Sequence, residues 1–307
     1  MTWKLLALAL IVVPAVTASS APEGRVAVLM SAKVDEYEDA LRGFKGTVPY
    51  RIVALYDMEA DFDRGRKQLA DIESKVKPDL IFAVGVWALQ AVTGRPSSVP
   101  VVYAMVLNPP SIIGTETRNI TGASTNVPVE QPIWLLKQLQ PQVKRVGVIF
   151  SRAKTGYLVM RAQAVARNDG LELVAREISS PRDAVGALES FGDGIDALWI
   201  VPDETVLSQN IVQQMLLFSY RRKIPVIGVS GRHAEMGALF ALSYASSEDV
   251  GRQAGELAQA ILGGRAAADV PYTSARKLDL TVNLRAAQKL GLEVPRAILA
   301  RATTVIQ

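Results

Sequence analysis

Short apolar runs rich in Val, Ile and Ala alternate with longer stretches in which apolar residues recur every three or four positions, from about residue 25 to residue 262. The runs predict strands over Arg25–Met30, Tyr50–Leu55, Asp79–Val84, Val99–Val106, Arg145–Phe150, Leu171–Ile178, Ala197–Val201, Pro225–Val229 and Ala238–Leu242. Each is nearly continuously apolar, as expected of strands covered on both faces. The 3.6-residue pattern predicts helices over Asp35–Phe44, Asp61–Lys75, Trp87–Thr93, Val129–Leu139, Thr155–Asn168, Arg182–Ser190, Thr205–Arg222 and Ser247–Leu262. Strand and helix taking turns marks βαβ units on parallel sheets, so the fold class is α/β.

The order of elements divides in two. Four strand-helix units occupy Gly24 to about Ile120, and a second set runs from about Gly122 to Leu242. Arg118-Asn119-Ile120-Thr121-Gly122 follows neither periodicity and reads as the crossing between two lobes. Gly263-Gly264-Arg265-Ala266-Ala267-Ala268 ends a helix on glycines and reads as a further connection.

The N-terminal pattern is different in kind. Lys4 precedes an apolar run from Leu5 to Val13, followed by Pro14 and the small-residue stretch Ala15 to Ala18. That is the build of a secretory signal over residues 1–18, cleaved after Ala18, with an apolar segment too short to remain as a membrane span. The chain has no Cys, so neither a lipid-bearing thiol nor a disulfide is available. A periplasmic protein that is not a lipoprotein is expected. Hydrophobic residues at 49% and charged residues at 21% suit a globular body, and nothing after Ala21 is apolar over the length of a bilayer. The net charge of +4 is scattered, without a basic block or interleaved aromatics, which argues against a nucleic-acid partner.

Catalytic signatures fail in turn. His233 is the sole histidine and reads as a surface residue near a helix start, with no HExxH around it. Gly228-Val229-Ser230-Gly231-Arg232 lacks the last glycine of a nucleophile elbow. Gly192-Asp193-Gly194 precedes a strand, whereas a dinucleotide fingerprint follows one. No enzyme, metal or cofactor is called for.

In doubly wound folds ligands sit beyond the carboxyl ends of the strands. The residues there are small or polar: Ser31, Gly85-Val86-Trp87 and Leu107-Asn108-Pro109 from the first half, then Ser124-Thr125-Asn126, Pro202-Asp203-Glu204, Ser230-Gly231 and Ser243-Tyr244 from the second. Two such edges facing each other make a cleft that closes on a small molecule by hinge motion. Trp87 is placed either to stack on a planar ligand or to pack, whereas Trp134 and Trp199 read as packing.

Several phrases in order carry a resemblance: Val99-Pro100-Val101-Val102-Tyr103-Ala104, Asn119-Ile120-Thr121-Gly122-Ala123-Ser124, the run Leu139 to Ile149, Pro202-Asp203-Glu204-Thr205-Val206, and the closing stretch from Val282-Asn283 to Ala302. Together they resemble the ABC-transporter substrate-binding proteins of the tryptophan/tyrosine type. The resemblance implies a type I periplasmic-binding-protein fold, with residues 24–121 and about 245–275 in one Rossmann-like lobe and 122–244 with about 276–307 in the other. It further implies no catalysis and a ligand at the hinge. Asp203 matches a family acidic residue and would accept an α-ammonium, or else caps the helix near Thr205; Ser124 would meet a carboxylate. Two positions depart from the pattern, Leu107-Asn108-Pro109 standing for Thr-Asp-Pro and Thr125 for Asp, so two carboxylates are gone.

The expected ligand-binding set is therefore Ser31, Gly85, Trp87, Asn108, Ser124, Thr125, Asp203, Ser230 and Tyr244. The expected function is a monomeric periplasmic protein that delivers a small planar or aromatic compound to an ABC permease of the inner membrane. The alternative is a sensing subunit that presents its ligand to a membrane receptor kinase or cyclase.

Overall fold

The computed structural model describes residues 24–94, 97–114 and 119–307; the expected leader, residues 1–18, lies outside them. Among the described residues β1 (Arg25–Met30), β2 (Arg51–Asp57), β3 (Leu80–Val84), β4 (Val101–Val106) and β5 (Ile120–Ser124) form a parallel sheet in the order β2-β1-β3-β4-β5. Helices α1 (Asp35–Thr47), α2 (Phe62–Asp71), α3 (Val86–Thr93) and α4 (Pro110–Ile113) connect them. The two-residue period of the strands splits the core. Val26, Val28, Phe82 and Val102 pack with Phe44 of α1, whereas Ala27, Leu29, Ile81 and Tyr103 pack with Leu69 of α2 and Leu89 of α3. Both faces are buried, which is why the strands read as unbroken apolar runs.

The second sheet follows the order β12-β11-β10-β9-β8-β6-β7, built from β6 (Arg145–Phe150), β7 (Glu172–Glu177), β8 (Ala197–Trp199), β9 (Val226–Gly228), β10 (Phe240–Tyr244), β11 (Leu278–Asn283) and β12 (Thr304–Ile306). It is parallel except that β11 runs antiparallel to β10. Around it lie α5 (Glu130–Leu139), α6 (Arg152–Asn168), α7 (Ala184–Glu189), α8 (Gln209–Arg222), α9 (Gly231–Met236), α11 (Leu284–Leu290) and α12 (Arg296–Leu299), with a hydrophobic core of their own. Helix α10 (Ser247–Leu262) returns to the first lobe, where Val250, Ala254 and Ala258 join the core of Phe44.

The first sheet continues through Ser124, three residues past the expected crossing at 121/122. Gly122 lies against Tyr103, and a Cβ there would come within 2.3 Å of the Tyr103 carbonyl oxygen. The glycine that interrupts the apolar pattern is what lets β5 pair beside β4. A bulge precedes it in β4, where Met105 adopts φ 59° and the register with β5 shifts between Ala104 and Val106.

The α1–α10 contact is backbone against backbone. A Cβ on Gly43 would lie 1.9 Å from the Glu248 carbonyl oxygen, and one on Gly251 would lie 1.8 Å from that of Ala40. Gly251→Ala is expected to cost about 1–3 kcal/mol by overpacking, read as an earlier urea-unfolding midpoint. Gly46→Ala on the same helix, where an added Cβ meets nothing within 4 Å, should shift the midpoint the opposite way, by up to about 1 kcal/mol.

Candidate functional site

Three crossings join the lobes, at about residues 125–129, 245–246 and 263–277, and hydrogen bonds lace them together. Ser124 donates its N–H (2.8 Å) and its hydroxyl (3.1 Å) to the Thr273 carbonyl, and Thr273 N–H returns a bond to Gly122 O at 2.9 Å. Buried Gln253 of α10 donates to Thr273 Oγ1 and Ser274 O and accepts from Arg276 N–H. Ala245 N–H donates to Lys277 O. Ser124 is thus a hinge residue, fully buried and occupied by main-chain partners.

Beside this hinge, at the carboxyl edge of the second sheet, is a cavity of about 410 Å³. The strand ends supply Trp199, Pro202, Gly228, Val229, Ser230, Leu242, Ser243 and Tyr244, the hinge supplies Thr125 and Val127, α5 supplies Pro132, and Leu107 enters from the first lobe. Leu158, Leu207 and His233 complete the wall. Among these described residues none is Asp, Glu, Lys or Arg. The polar groups are hydroxyls and one imidazole, which suits a small ligand held by apolar contact and a few directed hydrogen bonds. Burial, and after it the neighbouring Tyr244, push the Tyr37 phenol above its ordinary value.

The structure brings three of the nine expected residues together here: Thr125, Ser230 and Tyr244. The others stand elsewhere, for identifiable reasons. Ser31 donates its hydroxyl to Val84 O and accepts from Ala88 N–H, both at 2.9 Å, and so closes the start of α3. Gly85 has φ 88°, and a Cβ there would approach the Ser31 hydroxyl and the Tyr37 ring to within 2.7 Å. Trp87 is 41% exposed and outside the cavity wall. Asn108, at φ 49°, donates its backbone N–H to Asn126 Oδ1 and its side-chain Nδ2 to Lys154 O on α6, a bridge between lobes.

Asp203 is fully buried, and its carboxylate accepts from Ser151 N–H at 2.7 Å, Thr155 Oγ1 at 2.6 Å and Thr205 N–H at 2.8 Å. These bonds pin the start of α6 to the loop after β8. The helix expected near Thr205 starts instead at Gln209 with Ser208 as its cap, and Asp203 holds the turn at Thr205 and the start of α6. Trp199 and His233 were passed over by sequence reasoning. Trp199 is buried as expected of packing, yet its ring also faces the cavity. His233 stands near the start of α9 but is buried, lying over Gly228, where a Cβ would come within 2.7 Å of the His233 Cβ. Its Nδ1 accepts the Val229 N–H at 3.3 Å. Burial, then the nearby Arg232 charge, hold the imidazole below its ordinary pKa and so in the neutral form. Its position one turn past a strand end was the available signal; Leu158 on α6 and Leu207 offered none.

Among the described residues no group of His, Asp and Glu could hold a metal ion, and no helix is long and apolar enough to cross a membrane. A tyrosine-binding protein of Clostridioides difficile is 25% identical over 214 residues, 67% of this chain and 61% of that one, so the chain spans about six tenths of that relative's length. Among solved structures, a ligand-free, open substrate binding protein with adhesive properties from Clostridium difficile superposes with a TM-score of 0.69 at 22% identity, covering 92% of this chain and 99% of the other. An ABC domain in complex with L-Trp from Streptococcus pneumonia gives 0.61 at 22% identity, covering 92% and 100%. The fold is that of type I periplasmic binding proteins. Residues 56–306 match the family described as ABC transporter substrate binding protein, and the chain belongs to that family.

Proposed function

We propose that this protein captures a small planar molecule in the cavity at the hinge, in the periplasm, and hands it to an ABC permease. The observation that carries the reading is that the cavity is lined by Thr125 and Val127 of the first crossing and by Tyr244, immediately before the second. A guest lying against Thr125 and Tyr244 touches or adjoins the segments about which the lobes turn, and Leu107 adds a contact from the first lobe, so binding energy is available to bias closure. The family supports substrate binding without catalysis, and the two amino-acid-binding relatives support a ligand of about one aromatic ring system in size.

The test is mass spectrometry of the compound that co-purifies with the full chain, followed by titration of that compound into ligand-stripped protein. The Trp199 emission should respond, Trp199→Phe should remove the response, and Trp87→Phe should leave it. Tyr244→Ala should weaken binding roughly tenfold or more, the worth of a well-packed aromatic contact. An unchanged affinity for Tyr244→Ala removes the site.

Asp203→Ala is expected to act on a different quantity. It leaves two buried N–H groups and a hydroxyl without their charged acceptor, so unfolding should become easier by at least about 3 kcal/mol, read as a fall in the thermal midpoint. Affinity measured well below that midpoint should change far less than in Tyr244→Ala.

A further inference from the structure

The cavity wall carries five polar groups without a hydrogen-bond partner among the described residues. The hydroxyls of Thr125, Ser230, Ser243 and Tyr244 make no hydrogen bond among the described residues, and neither does His233 Nε2. All five groups are neutral. The nearest carboxylate behind the wall, Asp203, is saturated by its three internal donors. Arg232 is exposed and forms no part of the wall. Among the side chains of the wall an ammonium would meet hydroxyl oxygens and no carboxylate, and a carboxylate would meet no cation; burying either charge without its countercharge is costly.

The orientation of His233 sharpens the point. Because Nδ1 accepts the Val229 N–H, the proton of the neutral ring resides on Nε2. The imidazole, which lines the cavity, therefore carries a single N–H donor on Nε2 and no free acceptor, and the missing Cβ of Gly228 leaves room for it. Apolar walls from Trp199, Leu158 and Leu242 leave a planar body as the remaining element of shape.

We infer that this cavity selects an uncharged planar molecule bearing a hydrogen-bond acceptor, engaged by His233 Nε2–H, in preference to a zwitterionic amino acid. The inference rests on the cavity being the ligand site proposed above. It assigns this chain a ligand class different from that named for its tyrosine- and tryptophan-binding relatives, and it makes His233 the residue that reads the acceptor.

The experiment is calorimetric titration of ligand-stripped full-length protein with a matched series sharing one ring: indole-3-propionamide (neutral, with an acceptor), L-tryptophan (zwitterion), tryptamine (cation), indole-3-propionate (anion) and indole (no acceptor). The amide should bind at least about tenfold more tightly than each charged probe. His233→Phe should lower affinity for the amide by about tenfold and leave indole unchanged, and His233→Gln, which returns an N–H donor at the same reach, should recover most of the loss. Binding of L-tryptophan as tight as that of the amide overturns the inference, as does an equal effect of His233→Phe on amide and indole. Absence of binding by the whole series also overturns it, while a Trp199 response to the co-purified compound would then still uphold the transport reading.

Discussion

A helix that arrives late in the chain completes the first lobe by coming closer to its partner than side chains allow. Gly43 and Gly251 face the main chain of the opposing helix, and their missing Cβ atoms let α1 and α10 meet backbone to backbone. Around this contact, Val250, Ala254 and Ala258 close the core built on Phe44 and Phe82. The chain leaves the first lobe after β5, builds most of the second, returns through α10 and leaves again for β11. Without a firm seat for α10 this route has no anchor, because the second and third crossings are the two ends of that helix.

The hinge inherits its rigidity from the same helix. Gln253 lies two turns along α10 from Ser246, whose hydroxyl caps the helix by accepting the Asp249 N–H at 3.1 Å, and it holds Thr273, Ser274 and Arg276 of the third crossing. Thr273 in turn holds Ser124 at the end of β5. Two crossings are therefore fixed to one helix, and Thr125, the next residue along, is delivered to the cavity with little freedom. The bridge from Asn108 to Lys154 of α6 adds a contact between lobes on the side of α4.

Strands covered on both faces announce themselves as apolar runs, and β1, β3, β4 and β6 were legible for that reason. The β5 strand was not, because Gly122 demanded by the Tyr103 contact breaks the run, and a glycine in sequence reads as an end. The β12 strand is the sheet edge and β11 stands beside it, and Asp279, Thr281 and Thr304 interrupt their apolar runs, so they lacked the signal. The site was legible to the extent that it lies at strand ends: Thr125, Ser230 and Tyr244 follow from topology. The roles of Ser31 and Asp203 did not, since a residue at a strand end serves either a ligand or the adjoining helix, and only the partners decide. His233 was hidden by the opposite error. Its isolation among polar neighbours suggested exposure, whereas Gly228 opens the space in which the ring is enclosed.

The cavity draws nearly all its wall from the second lobe, while the seat of α10 and the hydrogen bonds of the hinge depend on other residues. The cavity wall and the joint thus meet at Thr125, Val127 and Tyr244 and are otherwise set by different residues. Substitutions at Trp199, His233 or Leu242 reshape the wall of the cavity without touching Gln253, Gly43 or Gly251, on which the joint depends.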